Sequence, residues 1–232
     1  MAIARVAGQT PTANGGTGIQ AIAVTLPQNV VAGNAIMCVG KYRKDAGTLT
    51  FSDNLGNTYA NDTTTPDTLE DGVVIGSAKN LTTGGACTIT FTMTDAANRI
   101  GIAAMEYSGF TGGAVFDQFN NSTGTSTSAD SGATPTTTAA DELLIGGTSD
   151  GLGTSVTWTG SFSLLAANTT GRISSGDRIV AATGAYNATA TLGASATWRC
   201  VIATYKAAGG GGVTYPQLER GIRGLLRGIY GG

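Results

Sequence analysis

Short runs rich in Val, Ile, Thr and aromatic residues recur along the first 206 positions at intervals of roughly ten residues. Gly, Asn, Asp or Thr closes each run. This punctuation reads as strands joined by tight turns. Strands are expected at 19–26, 35–42, 49–52, 58–60, 72–79, 86–93, 100–107, 115–119, 142–148, 155–159, 162–166, 178–183, 188–192 and 197–206, with no helix before residue 215. The Ser/Thr/Ala/Gly-rich stretch 120–140 carries Pro135 and reads as a long exposed connection or an edge strand. The expected class is all-β: a jelly-roll-like two-sheet β-sandwich over residues 1–206, then a Gly-rich linker and a short C-terminal amphipathic helix or docking peptide over 207–232.

The two halves of the body echo each other at an offset near one hundred residues. Asn34–Gly40 matches Glu142–Gly147 in type, Leu49-Thr-Phe51-Ser52 resembles Val156-Thr-Trp158-Thr159, and Asp71–Asn80 resembles Asp177–Asn187. The run 100–107 resembles 200–205. Either the halves face each other within one sandwich as a pseudo-repeat, or two Val/Ile/Thr-rich stretches align by chance. Tandem separate domains are disfavoured because each unit would be small and hard to stabilise.

Composition narrows the chemistry. Charged residues make up 12% of the chain, against roughly 25% in an average soluble domain. The net charge of −2 supplies no field to recruit nucleic acid. There is no histidine, which removes the commonest general base and the usual imidazole metal sites. Cys38, Cys87 and Cys200 lie in apolar runs and read as buried free thiols, with one disulfide left open. The first residues form no signal peptide, and no run approaches a transmembrane helix in length.

Carboxylates remain as candidate catalysts. Glu106 stands among apolar neighbours and could pair with Asp117 or Glu142, since two acids suffice for glycoside hydrolysis. The alternative is that all are solvated or turn carboxylates. Adjacent Asp141/Glu142 and Glu70/Asp71 point to opposite faces of a strand. Asp53, Asn54 and Asn57, or Asp62, Asp67, Glu70 and Asp71, could ligate Ca²⁺, although Asx turns explain the first set as well. Trp158, Trp198, Tyr59, Tyr107 and Tyr186 could form a sugar-stacking platform, with core packing as the default. The reading adopted assigns no catalytic, cofactor or metal residue and treats the chain as non-enzymatic.

The C-terminal segment changes character. After Gly209-Gly210-Gly211-Gly212, the residues Leu218, Ile222, Leu225, Leu226 and Ile229 fall on one side of a 3.6-residue period, Arg220, Arg223 and Arg227 on another, and Gly221, Gly224 and Gly228 on a third. So short and Gly-rich a helix is unstable alone in water. It reads as a docking peptide in which Leu218, Arg220, Gly221, Ile222, Arg223, Gly224, Leu225, Leu226, Arg227 and Ile229 bind a partner. A helix packed on its own domain and a frayed tail are the alternatives.

Val31-Ala-Gly-Asn34, Ser52-Asp-Asn-Leu-Gly-Asn-Thr-Tyr59, Glu106-Tyr-Ser-Gly109, Ala140-Asp-Glu-Leu-Leu-Ile-Gly146 and Trp198-Arg-Cys-Val-Ile-Ala-Thr-Tyr205 together resemble a jelly-roll module of tailed-phage and environmental bacterial proteins. The resemblance spans roughly residues 18–206 and rests on turns and buried strands. It implies a virion structural role, as a capsid decoration or cement protein or a fibre-associated module. The implied partners are the major capsid protein or other virion subunits and further copies of the chain, with no nucleic acid and no membrane. The implied location is the virion, assembled in the host cytoplasm. The alternative function is a carbohydrate-binding or adhesin module of a phage fibre or bacterial surface, with a glycan as ligand.

Overall fold

The computed structural model describes residues 2–15, 17–43, 47–65, 71–110, 112–170 and 172–208. Its strands, in chain order, are β1 Ala4–Arg5, β2 Thr12–Asn14, β3 Thr17–Thr25, β4 Ala35–Arg43, β5 Leu49–Asp53, β6 Ala60–Thr64, β7 Asp71–Ala78, β8 Thr88–Asn98, β9 Gly101–Ser108, β10 Ala114–Asp130, β11 Asp141–Asp150, β12 Val156–Thr159, β13 Ser163–Asn168, β14 Ile173–Ala181 and β15 Thr189–Ala207. The pairing between these strands is antiparallel throughout. The chain is an all-β sandwich, as the recurring short runs require. The stretch after Phe119 continues β10 as an edge strand through Asp130, and only the residues from Ser131 to Ala140 form a connection.

The sheets number three among the described residues. One has the order β1-β9-β4-β7-β6 with β2 also on β9, the second has the order β10-β15-β11-β14-β13 with β12 on β15, and the third is β3-β8-β5. The first and second sheets have the same topology. β9, β4, β7 and β6 correspond to β15, β11, β14 and β13, and β1 with β2 corresponds to the start of β10. The small sheet β3-β8-β5 has its own counterpart where the far ends of β10 and β15 pair with each other and with β12. Each half therefore has the strand order of a jelly roll. In the first half a turn at Arg99, with φ of 69°, separates β8 from β9. In the second half the equivalent pair runs on as β15, with a register shift opposite Ser126 and Ser128.

The echo at an offset near one hundred is thus a structural repeat, and each half is itself two-layered. The large sheets of the two halves pack face to face. Met37, Val39, Val73, Ile75 and Met105 of one meet Leu143, Ile145, Val201 and Ala203 of the other in a central core. The opposite face of the first sheet carries Ile36, Cys38, Val74 and Ile102 against Val24, Ile89 and Phe91 of the small sheet. The opposite face of the second carries Leu144, Cys200 and Ile202 against Trp158, Ala190 and Leu192. Side chains alternate between faces along a strand. Burial on both faces is why β4, β9 and β11 read as unbroken apolar runs rather than alternating ones.

An aromatic ring locks each half. Phe51 of β5 lies over Gly40 and Gly76, and Trp158 of β12 lies over Gly146 and Gly176. A Cβ on Gly76 would stand 2.5 Å from the Phe51 ring, and one on Gly176 would stand 2.7 Å from Trp158. The sequence likeness of Leu49–Ser52 to Val156–Thr159 marks this shared saddle. Cys38, Cys87 and Cys200 are buried free thiols, and burial pushes the Cys87 thiol up to about 12.

Candidate functional site

The acids singled out by sequence fall into separate places. Glu106 is wholly buried on β9, opposite Ile36 of β4. Its Oε1 accepts from the Val31 amide at 2.9 Å and Asn34 Nδ2 at 2.7 Å, and its Oε2 accepts from Gln9 Nε2 at 2.7 Å. Gln9 is fixed in turn by Gln28, whose amide donates to Gln9 Oε1 at 3.0 Å. This carboxylate ties the N-terminal segment and the 31–34 turn to the last strand of the first half. Nothing in the local sequence marks Gln9 for that task.

Asp117 and Glu142 come together without Glu106, in the second half. Lys206 of β15 lies opposite both Val115 of β10 and Glu142 of β11. A register shift between Phe116 and Phe119 brings Asp117 to it, with Lys206 Nζ at 2.7 Å from Asp117 Oδ1. The Thr138 amide donates to Asp117 Oδ2 at 2.7 Å, and the Thr138 hydroxyl contacts both Asp117 and Lys206. Burial alone would raise the Asp117 carboxyl, but Lys206 and Thr138 hold it at about 2. Glu142 is wholly buried. Its Oε1 accepts from the Ala139 amide at 3.1 Å, and its Oε2 has no hydrogen-bond partner among the described residues. Burial, reinforced by the neighbouring Asp117 charge, pushes Glu142 above the usual carboxylate range even with Thr204 and Ala139 pulling the other way.

The residues considered for calcium are engaged otherwise. Asp53 closes an Asx turn: Oδ1 accepts from the Leu55 and Asn57 amides, and Oδ2 from Asn57 Nδ2 and the Tyr59 hydroxyl. Burial would raise Asp53, but these donors bring it below the ordinary value. Asp62 pairs with Lys79 at 2.6 Å, and Asp71 pairs with the wholly buried Lys41 at 2.9 Å. Asp67 and Glu70 lie outside the described residues. Among the described residues no three His, Cys, Asp or Glu side chains gather where a metal ion could be held.

The aromatic residues are also spoken for. Trp158 and Trp198 are each 7% exposed and donate through Nε1 to Ser174 and Ser126 at 3.0 Å. Tyr107 is buried, Tyr59 and Tyr186 are half-buried, and the Arg178 guanidinium sits 5.3 Å from the Tyr186 ring centre.

Sequence reasoning missed a pair of clasps between the halves. Tyr107, at the end of β9, donates to Asp177 Oδ2 of β14 at 2.9 Å, with Arg5 3.4 Å from Oδ1. Tyr205, its counterpart near the end of β15, donates to Asp62 Oδ2 of β6 at 2.7 Å. The signal was the shared closing Tyr of the runs 100–107 and 200–205.

Open clefts among the described residues include two of similar size. One of about 510 Å³ is lined by Asp71, Thr125, Gly151, Leu152, Thr197 and Arg199. The other, of about 480 Å³, is lined by Arg5, Ser161, Ser163, Asp177, Arg178 and Ile179. Neither brings two acids together. The docking residues Leu218, Arg220, Gly221, Ile222, Arg223, Gly224, Leu225, Leu226, Arg227 and Ile229 lie outside the described residues. Comparison with known proteins finds no matching family model, no matching curated sequence and no matching solved structure.

Proposed function

We propose that this chain is a non-enzymatic virion structural protein of the capsid decoration or cement type, held on the particle by its C-terminal segment. The observation that carries the reading is the fused double jelly roll. Two sandwiches share one central apolar core, and Glu106, Asp53, Asp62 and Asp177 are spent on tying strands and turns together. That arrangement suits a stiff body more than a reaction centre. A low-charge surface suits packing against other copies and against a capsid, where charged groups would have to be desolvated. On this reading the partners are capsid or other virion subunits and further copies of the chain, in particles assembled in the host cytoplasm.

The body delivers its last strand, β15, to Ala208, whose amide is tied to Gly113 O at 2.9 Å. Beyond it the spacing of Leu218, Ile222, Leu225, Leu226 and Ile229 offers an apolar stripe to a neighbour, each side chain contributing roughly 1.5–3 kcal/mol when fully buried, less the entropy of ordering. The test is co-sedimentation with virions stripped of this protein, comparing the full chain with one ending at residue 208. The full chain rebinds. The shortened chain keeps its cooperative unfolding and stays in the supernatant. Equal binding of the two chains overturns the attachment, and failure of both to bind overturns the virion role.

A further inference from the structure

The second half holds a lysine, an aspartate and a glutamate on three adjacent strands, in an arrangement that goes beyond an ion pair. Lys206 is on the middle strand. Glu142 is its cross-strand neighbour on one side, and Asp117 reaches it from the irregular stretch of β10 on the other. The Asp117 side chain is 4% exposed, and Glu142 is enclosed with one carboxyl oxygen lacking a hydrogen-bond donor among the described residues. We propose that Lys206 and Asp117 condense into an isopeptide bond linking β15 to β10, with Glu142 as the acid–base partner.

The chemistry balances without an external reagent. The Lys206 amine, having passed a proton to the Asp117 carboxylate, attacks Asp117 Cγ. The Nζ–Cγ bond forms and one Cγ–O bond breaks. Two protons from the ammonium leave with that oxygen as water. Glu142 lends one proton to the departing oxygen and recovers one from the nitrogen, so it ends as it began. An Nζ–Oδ1 contact of 2.7 Å leaves Cγ one bond beyond the atom the amine already touches, and attack needs the amine to come within about 3–3.5 Å of it. The Thr138 amide and hydroxyl fix the carboxylate for attack.

Two carboxyl groups beside a single ammonium are driven apart in proton affinity. Burial and the Asp117 charge raise the proton affinity of Glu142, whereas Lys206 and Thr138 lower that of Asp117, so proton transfer from Lys206 to Asp117 is the uphill step that precedes attack. Asp117 and Glu142 are shielded from water, whereas the Lys206 side chain keeps 27% of its surface exposed.

Two other lysine–aspartate pairs act as internal controls. Lys41–Asp71 has the cations Arg172 and Arg99 for neighbours. Lys79–Asp62 is completed by the hydroxyls of Ser77 and Tyr205. Neither has a buried acid beside it among the described residues, so both remain ion pairs and the chain loses one water rather than three. The bond would anchor the strand that leads into residues 209–232, although its chemistry is independent of any attachment there.

Intact-mass measurement of the denatured full-length protein, followed by tryptic mapping, decides the matter. The expected result is a chain lighter than its sequence by one water, no cleavage after Lys206, and a branched peptide joining the segments that hold Lys206 and Asp117. Asp117→Ala restores the full mass and the cleavage. Glu142→Gln does the same or slows the appearance of the branched peptide at least tenfold. A wild-type chain of full mass after prolonged incubation at neutral pH overturns the proposal. So does a lost water that maps to the Asp71-Gly72 or Asp150-Gly151 peptide, where a succinimide would form. A branched peptide that forms at the wild-type rate in Glu142→Gln overturns the role of Glu142.

Discussion

The first half of the chain, through Ser108, and the second, from Ala114 onward, trace the same strand order, yet they place their buried polar groups at exchanged positions. In the first half the acid, Glu106, is on the last strand and an amide, Asn34, stands just before β4. In the second the acid, Glu142, is at the head of β11, and Thr204 faces it from the last strand. The clasps are exchanged in the same way. Ser77 of β7 is backed by Asp62 of β6, whereas β14 carries Asp177 itself and has Ser163 opposite it on β13. In this chain an acid and its donors meet across the same strand junction in both halves, and either strand supplies the acid. The consequence differs between halves. Three donors engage Glu106, while Glu142 has, among the described residues, an oxygen without a donor and a second acid beside it.

The largest expected effects come from the aromatic locks. Phe51→Ala and Trp158→Ala should each lower unfolding stability by about 3–5 kcal/mol, the range for emptying a buried aromatic site. Because the halves share the central core, each substitution should move one common denaturant transition. Two transitions, of which only one moves, would break the claim that the halves fold as a unit. Gly76→Val and Gly176→Val should follow at about 1–3 kcal/mol, the cost of overpacking a filled site, because the space for a side chain is taken by the Phe51 and Trp158 rings.

Next in size is Glu106→Gln. It turns an amide NH₂ toward donors that now point at a carboxylate and should cost about 1.5–3 kcal/mol. An unchanged denaturation midpoint would mean that Gln9, Val31 and Asn34 do not need the charge. The Tyr clasps sharpen the comparison further. Tyr107→Phe leaves Arg5, at the long distance of 3.4 Å, as the remaining side-chain partner of Asp177 among the described residues, and should cost about 1.5–3 kcal/mol. Tyr205→Phe leaves Asp62 with Lys79 and Ser77 and should cost only about 0.5–1.5 kcal/mol. Equal losses would show that the extra partners of Asp62 contribute nothing.

The sequence made much of this frame legible, and the reason is local. The unbroken run 35–42, the turn Asp53–Asn57 and the likeness of Phe51 to Trp158 are properties of a few consecutive residues, so periodicity and turn chemistry reveal them. Stacking of the two large sheets left no such trace. A strand buried on both faces reads the same whatever covers it, so nothing in Met37–Val39 says that Leu143 and Ile145 lie opposite. The Tyr107–Asp177 and Tyr205–Asp62 contacts join residues 70 and 143 positions apart, and Gln9 reaches Glu106 across 97. Each of these residues is unremarkable among its neighbours in the chain. Glu106 stood out because it is an acid in an apolar run. Asp117 is legible only as a candidate partner of Glu106, and Glu142 as that and as half of the adjacent pair Asp141/Glu142, since the meeting of Asp117 with Glu142 depends on a register shift in β10 that composition does not encode.

The smallest effects, and the most diagnostic of the two halves, are in pH dependence. Asp53, in the first half, has its carboxyl below the ordinary range: burial opposes this, but Asn57, Tyr59 and Leu55 donate to the charged form. Its contribution to stability is therefore present above the unfolded value of about 3.9 and is lost as pH falls through its lower folded value. Asp177, in the second half, is raised, because burial outweighs Tyr107 and Arg5. Its folded form holds the proton more tightly than the unfolded chain does. Stability from this group is complete below about 3.9 and declines as pH rises through its higher folded value. Asp53→Asn should accordingly cost more near pH 6 than near pH 3, and Asp177→Asn should cost less near pH 6 than near pH 3. Denaturant midpoints of both variants and the wild type across that range provide the check. Slopes of the same sign for the two variants would mean that the clasp between the halves is an ion pair like any other, and that burial of Asp177 against the central core does not govern its charge.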